Sequence, residues 1–211
     1  MSVRYLGTPP PASRLSFYVE HDIGVMVTPN MKNRMEGLGV WPYWAADNGC
    51  FSAAGSFDLD EFLDWLHCRR QYTGRCLFAV APDVLCDARQ TWERSRAALP
   101  LIRALGYKAA LVAQNGLVAS DVDWNAFDVL FVGGDDKWKD GEAAHQICLE
   151  AARRGKWVHF GRVNSLRRLL LCHLSGADSV DGTFIAFGPD RNLPQVANWL
   201  RKVRSQPVLL P

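Results

Sequence analysis

The chain has 211 residues, of which 48% are hydrophobic and 22% are charged, and its formal net charge at pH 7 is +2. This composition is typical of a globular protein, and the length suits one domain, so residues 1–211 are predicted to form a single domain. The small net charge excludes a uniformly basic nucleic-acid binder, and a nucleic-acid role needs a local cationic patch. No apolar run is long enough to span a membrane and no signal-peptide segment is present, so we expect a cytoplasmic protein without a membrane partner.

The six cysteines are scattered, and no two form a CxxC pair. This spacing favours reduced thiols over disulfides and gives no reason to expect a zinc site. The sequence also lacks a Walker A loop and a Rossmann GxGxxG motif, so we predict neither a bound metal nor a cofactor.

Residues 1–20 are predicted to form an extended, Pro-rich N-terminal arm, because TPPPAS occupies positions 8–13. Short apolar runs then alternate with segments of helical periodicity. The predicted strands are IGVMVT (23–28), YWAA (43–46), LFAVA (77–81), AALVA (109–113), VLFV (129–132), WVHF (157–160) and DSVD (178–181). Predicted helices lie within 58–71, 87–106, 140–155, 164–176 and 193–203. Asp87 is a predicted N-cap, and Gly106 and Gly155 are predicted to end their helices.

Apolar strands that alternate with helices are typical of a parallel sheet covered by helices. Nearly every strand is followed by a polar or glycine-containing motif, such as DNGCF, QNG, GGDDK or DGT. A site ringed by so many loops favours a barrel over an open sheet, whose site lies at one switch point. We therefore predict an α/β fold, a compact (β/α)8 TIM-like barrel. Its eighth strand is left open between TFIAF (183–187) and RLSFYVE (14–20).

The strand ends bring one set of polar groups to the same predicted rim: Asp47, Asp83, Gln114, Gly133, Gly134 and Asp181. Carboxylates without a metal suggest glycosyl chemistry, in which one carboxylate attacks a sugar C1′ and a second carboxyl group moves a proton. An amide and backbone N–H groups suit a planar base, and glycines let the backbone approach it closely. Asp178 and His159, which lie within predicted strands, are expected to have structural roles.

Several of these segments resemble motifs of the tRNA-guanine transglycosylases. ADNGCF (46–51) resembles their D-S-G-G-Y/F segment, and GADSVDGT (176–183) resembles the G-x-D-x-F-D segment that holds their nucleophile. QNG, the GG pair and HFGRVNS match further motifs of the family, in the same order along the chain. The strings PDV, GG…WK and H-x-GRVNS are more similar to the short phage and mobile-element members, which exchange guanine in DNA for a 7-deazaguanine base such as preQ0.

The resemblance implies roles for individual residues and for partners. These roles are nucleophile for Asp181, general acid/base for Asp47, base binding for Asp83, Gln114, Gly133 and Gly134, and stacking on the base for Phe51 and Phe160. The implied partners are guanine-containing DNA and a free 7-deazaguanine base. The zinc subdomain of the tRNA enzymes, with its CxCxxC…H signature, has no counterpart here, which disfavours tRNA and leaves open whether a partner subunit helps to hold the polynucleotide.

Lys137, Lys139 and Arg162 are the predicted contacts to nucleic-acid phosphates, because they follow the glycine pair and the β-strand WVHF on the same rim. Arg167 and Arg168 begin the next helix nearby and are equally compatible with a solvated surface. A base that reaches a pocket in a barrel mouth must leave its stack, so base flipping or a single-stranded substrate is implied.

Three other functions remain open from the sequence. The first is the same base exchange on tRNA. The second is an N-glycosidase or nucleoside-level transferase, which would act on small substrates and bind no polymer. The third is a non-catalytic nucleic-acid-binding subunit.

Overall fold

The structure, a computed structural model, describes residues 3–31, 39–50 and 57–206. Within them, eight parallel strands form one closed barrel, in which neighbours in sequence are neighbours in space. The strands are β1 (Arg4–Gly7), β2 (Ile23–Val27), β3 (Trp44–Ala46), β4 (Cys76–Val80), β5 (Ala109–Ala113), β6 (Val129–Val132), β7 (Trp157–Phe160) and β8 (Ser179–Asp181). The predicted (β/α)8 barrel is confirmed, and the seven predicted strands are β2 to β8.

Helices cover the outside of the barrel. They are α1 (Leu15–Glu20), α2 (Leu59–His67), α3 (Ala88–Ala104), α4 (Asp136–Lys139), α5 (Glu142–Arg153), α6 (Leu166–Leu174) and α7 (Pro189–Arg204). The predicted caps are confirmed: the Asp87 carboxylate accepts a hydrogen bond from the Gln90 N–H at 2.9 Å, and Gly106 and Gly155 adopt positive φ angles where their helices end. The short α4 was not predicted.

Side chains of each strand alternate between the barrel interior and the layer of helices. The buried apolar side chains that fill the interior are Leu6, Tyr43, Ala45, Phe78, Val80, Ala110, Val112 and Val129. The opposite set of strand side chains packs with the helices in a second, larger core. Because the alternation continues past the ends of the strands, it decides which of the rim residues face the barrel mouth.

The prediction of an N-terminal arm over residues 1–20 is wrong for the described part of that segment. Arg4–Gly7 forms β1, which pairs with β2 on one side and with β8 on the other and so closes the barrel. The Arg4 guanidinium lies 5.1 Å from the Tyr43 ring centroid and 5.5 Å from that of Trp157, so the charged start of this strand rests on aromatic rings. Neither candidate for the eighth strand is one: RLSFYVE contributes α1, and TFIAF contains a 3₁₀ turn (Phe184–Phe187).

Candidate active site

The carboxyl ends of the strands surround a cavity of about 140 Å³ at one mouth of the barrel. Side chains alternate in direction along each strand, and this alternation turns most of the predicted site residues toward the cavity. Asp47 follows the inward-facing Ala45 by two residues, and Gln114 follows the inward-facing Val112 in the same way. The predicted residues that line the cavity are Asp47, Asp83, Gln114, Gly133, Gly134, Lys139, Arg162 and Asp181. The structure therefore brings together the three carboxyl groups, the amide and the glycine pair, at the end of the barrel where TIM-barrel enzymes hold their sites.

Asp83 and Gln114 form one buried hydrogen-bonded unit. The Gln114 Nε2 donates to Asp83 Oδ2 at 2.6 Å, and Gln114 Oε1 accepts from the backbone N–H of Cys86 at 2.9 Å. These two bonds fix which end of the amide donates. Burial raises the pKa of Asp83, and the hydrogen bonds from Asn48 and Gln114 act against that rise. After these bonds, Gln114 keeps one amide N–H and Asp83 keeps lone pairs for a ligand.

Asn48 is a site residue that the sequence analysis missed. Its Nδ2 donates to Asp83 Oδ1 at 2.9 Å and to the Ala81 carbonyl at 2.8 Å, while its Oδ1 accepts from the Cys50 N–H at 2.8 Å. The signal was the consecutive Asp47–Asn48 pair at a strand end. Strand alternation sends the first of two such residues into the mouth and the second sideways to the neighbouring strand.

Asp181 ends β8 with its side chain 18% exposed. Its two oxygens have different partners. Oδ2 lies 3.0 Å from His159 Nε2, and Oδ1 accepts from the backbone N–H of Arg162 at the longer distance of 3.3 Å. Gly161 lies beside the carboxylate, and a Cβ at that position would come within 2.8 Å of the Phe131 ring and 3.4 Å of Asp181 Oδ2. The glycine is thus needed for the close approach of this loop to the Phe131 ring beside Asp181.

Asp47 has the most perturbed of the carboxyl groups in the cavity. Burial, followed by the negative charges of Asp181 and Asp83, raises its pKa from 3.8 to about 7, against backbone hydrogen bonds from Gly49 and Asn48. A carboxyl group with such a pKa gains and loses a proton near neutral pH, which is the property required of a general acid/base.

The glycine pair after β6 gives the cavity a wall of bare backbone. A Cβ on Gly133 would lie 2.7 Å from the Val112 side chain and 3.2 Å from Gln114 Nε2. Gly134 has φ of +79°, and a Cβ there would lie 2.5 Å from Asn115 Oδ1. Both positions therefore require glycine, one for space and the other also for its backbone conformation.

The structure does not support the predicted stacking of Phe160 on a base. Phe160 follows the inward-facing His159, so strand alternation turns it toward the helices. It lines a separate cavity of about 240 Å³ between α5 and α6, together with Leu171 and Cys172. The second predicted stacking residue, Phe51, lies outside the described residues.

The predicted phosphate contacts divide into exposed and buried cations. Lys137 and Arg162 are exposed, and Arg162 lines the acidic cavity with a left-handed φ of +62°. Lys139 was predicted wrongly, because its side chain is only 3% exposed. Its Nζ donates to the Gly161 carbonyl at 3.1 Å and lies 3.3 Å from Asp136, and burial, with the nearby positive charge of Arg168, lowers its pKa. An ammonium group held in this way does not reach a polymer phosphate.

Asp178 and His159 have the structural roles that were expected. One contact of His159 was not predicted. The Asp178 carboxylate accepts from the Val158 N–H at 2.8 Å at the opposite end of β8 from the cavity. His159 is fully buried inside the barrel, as predicted for a core histidine, but its Nε2 is the group that contacts Asp181. The alternation of WVHF was the available signal, since a histidine that faces the interior of β7 lies beside the inward-facing residues of β8.

In the part of the chain that the structure describes, no three His, Cys, Asp or Glu side chains are grouped so that they could hold a metal ion. Among the same residues, no helix is both long enough and apolar enough to cross a membrane.

Comparison with known proteins establishes the fold. No protein-family model matches the chain, and no curated protein matches its sequence. Among solved structures it is similar to KGPDC from Streptococcus mutans, with a TM-score of 0.60 and 10% identity over 96% of this chain and 97% of that one. It is also similar to tryptophan synthase from M. tuberculosis, with a TM-score of 0.55 and 13% identity over 96% of this chain and 91% of the other. At these identities the likeness concerns the TIM-barrel fold alone.

Proposed function

We propose that this chain is a transglycosylase that exchanges guanine in DNA for a 7-deazaguanine base of the preQ0 type. The observation that carries the proposal is the pairing of Asp47 and Asp181 in one cavity, where Asp47 has a pKa of about 7. One carboxyl group is thereby able to move a proton while the other is held by hydrogen bonds at the same mouth. The choice of base and of DNA rests on the resemblance of ADNGCF, HFGRVNS and GADSVDGT to the DNA-modifying transglycosylases.

In the first step, an oxygen of Asp181 attacks C1′ of the deoxyribose, and the bond from C1′ to N9 of guanine breaks. Asp47 enters this step protonated and gives its proton to the leaving base, which departs as neutral guanine. The product is an ester between Asp181 and C1′, with Asp47 ionised. An oxocarbenium-like transition state of this kind is stabilised by the nearby carboxylate.

In the second step, the incoming base loses its N9 proton to Asp47, and its N9 attacks C1′. The bond between C1′ and Asp181 breaks, and Asp181 leaves as a carboxylate. Asp47 is protonated again and ready for the next cycle. A pKa of about 7 suits both steps, because the group must be a fair acid in one and a fair base in the other.

The remaining cavity residues suit a guanine-like ligand. Such a base offers N–H donors and a carbonyl acceptor in one plane, and the unused lone pairs of Asp83 and the second amide N–H of Gln114 complement them. The bare backbone at Gly133 and Gly134 allows a flat ring to approach the wall. Arg162 and Lys137 supply positive charge beside the cavity for a polynucleotide backbone.

Detection of the covalent intermediate tests the proposal directly. Wild-type protein is incubated with guanine-containing DNA, single-stranded and duplex, without any incoming base, and is then run on a denaturing gel. We expect a protein–DNA adduct that disappears when preQ0 is added, with preQ0 nucleoside found in the DNA by mass spectrometry. Asp181→Asn should form no adduct. Asp178→Asn is the matched control on the same strand, because its amide oxygen still accepts from Val158, and it should react like the wild type.

The same experiment separates the other functions. Exchange on tRNA and not on DNA would support the proposed base exchange and contradict DNA as the substrate. Release of guanine without incorporation of preQ0 would indicate a hydrolase or nucleoside-level enzyme. DNA binding that survives Asp181→Asn, with no adduct in the wild type, would indicate a non-catalytic binding subunit.

A further inference from the structure

A chain of hydrogen bonds runs through the barrel interior and ends on Asp181. Trp157 Nε1 donates to Ser179 Oγ at 2.7 Å, and Ser179 Oγ lies 2.8 Å from His159 Nδ1. His159 Nε2 lies 3.0 Å from Asp181 Oδ2. Ser179 and His159 are fully buried and face each other in the register of β7 and β8. The chain therefore links the start of β7, where Trp157 is half-buried, to the acidic cavity.

We propose that Trp157, Ser179 and His159 form a relay, a chain of hydrogen bonds with a fixed direction, in which the N–H of a neutral His159 imidazole donates to Asp181. This hydrogen bond selects which oxygen of the Asp181 carboxylate attacks. His159 is a positioning residue in this scheme. The direction of the relay does not depend on the proposed function, whereas its effect on reactivity rests on that function.

The direction is set at both ends. An indole N–H can only donate, so the Ser179 oxygen accepts at one end, and an ionised carboxylate can only accept, so His159 Nε2 carries a proton at the other. A neutral imidazole has one N–H, and its Nδ1 must then accept. The Ser179 hydroxyl proton satisfies it, and every donor in the chain has one acceptor. If the chain ran in the opposite direction, the N–H groups of Trp157 and His159 would both point at Ser179 Oγ. Among the described residues, the Ser179 hydroxyl proton would then have no bonded acceptor.

Packing keeps the imidazole in place. The His159 ring lies between Phe78 and Phe131, with ring centroids 4.8 Å and 4.5 Å away. A ring held on both sides in a filled barrel does not flip to exchange its two nitrogens. The geometry at Asp181 is thus fixed by apolar contacts as well as by hydrogen bonds.

The consequence is an inequality between the two oxygens of Asp181. Oδ2 accepts from His159 at 3.0 Å, while Oδ1 has the longer contact with the Arg162 N–H at 3.3 Å. Oδ1 is therefore the oxygen available to attack C1′. In the ester, Oδ2 becomes the carbonyl oxygen and keeps its hydrogen bond, and when the C1′–Oδ1 bond breaks the returning negative charge is stabilised by the same N–H. The relay should hold Oδ1 toward C1′ in the first step and accelerate the second, in which the negative charge returns to Asp181, without itself changing protonation state.

Nitrogen NMR of the histidine side chains tests the direction without any substrate. The chain has five histidines, and the His159 signals are assigned by comparison with His159→Gln. We expect His159 in the Nε2–H form in the wild type. In Ser179→Ala, where Nδ1 loses its donor, we expect this preference to weaken. A wild-type His159 in the Nδ1–H form would overturn the direction of the relay.

Single-turnover breakdown of the DNA adduct, started by adding preQ0, tests the role. A hydrogen bond to a charged group is worth enough to predict a slowing of about 10- to 100-fold in His159→Leu. His159→Gln, whose amide can still donate to Asp181, should recover most of the rate. If both variants melt like the wild type and react at its rate, the positioning role is overturned. If His159→Leu does not fold, the comparison of Ser179→Ala with wild type decides the same point. If the wild type forms no adduct, the proposed function fails, and the NMR result still decides the relay.

Discussion

Replacing Asp47 with Asn should stabilise the protein, and the gain should grow with pH. In the unfolded chain this carboxyl group ionises with a pKa of 3.8, and in the folded chain with a pKa of about 7. Between these values the folded state binds more protons than the unfolded state, so its stability falls as the pH rises through this window. Above pH 7 the folded protein bears the full cost of an ionised Asp47.

The size of the effect follows from the pKa difference. Each pKa unit corresponds to about 1.36 kcal/mol, so holding Asp47 ionised costs about 4 kcal/mol at pH 8. Asn has nearly the same shape and its oxygen still accepts from the backbone N–H groups, but it carries no charge. We expect Asp47→Asn to raise the free energy of unfolding by about 3 kcal/mol more at pH 8 than at pH 5.

Urea denaturation at the two pH values measures this difference. Asp128→Asn is the control of opposite sign. Burial acts to raise the pKa of Asp128, but hydrogen bonds from Arg103 and from the Ala109 N–H outweigh it and lower the pKa. That variant should be destabilised equally at pH 8 and pH 5, because both values lie above the ordinary pKa of 3.8, and the loss should shrink only as the pH falls below about 3.8. An Asp47→Asn variant whose change in stability is the same at pH 5 and pH 8 would refute the reasoning.

Three further predictions concern the walls and rim of the site. Gly134→Ala should cost more stability in a thermal melt than Gly155→Ala: both have positive φ, which costs roughly 1–2 kcal/mol, but only Gly134 also has a neighbouring atom within 2.5 Å of the new Cβ. Phe160→Leu should destabilise the fold by about 1 kcal/mol and leave the affinity for free preQ0, measured by calorimetry, unchanged. A large loss of affinity would show that Phe160 contacts the base. Lys137→Gln should lower the slope of log K for DNA against log salt by about 1, whereas Lys202→Gln, on the exposed face of the last helix, should leave that slope unchanged.

The sequence was sufficient for the barrel and for most of the cavity because both depend on short-range patterns. Apolar runs such as VLFV locate the strands, and residues that follow them meet at one end of a parallel barrel. These patterns did not predict the first strand, β1. Its sequence, RYLG, begins with a charged residue and has few apolar positions, and its identity depends on the aromatic rings under Arg4 and on pairing with β8.

The errors within the site have a common origin in side-chain direction. The order of motifs located Phe160 near the mouth, but the alternation of β7 turns His159 inward and Phe160 outward. Lys139 was predicted to contact phosphates because it follows the glycine pair in a polar stretch. The short helix α4, capped by Asp135, turns it inward toward the Gly161 carbonyl, and this contact joins two loops that are distant in sequence.

The pairing of β1 with β8 has a consequence for how the protein is made. Leu6 faces Asp181 across this pairing, and the Gly182 N–H donates to the Leu6 carbonyl at 3.0 Å. The last strand completes its bonds only against the first, so residues 4–181 must all have left the ribosome before the barrel can close. Until then, one edge of β1 is unpaired, and a nascent chain stalled before residue 179 has seven of the eight strands but lacks Asp181.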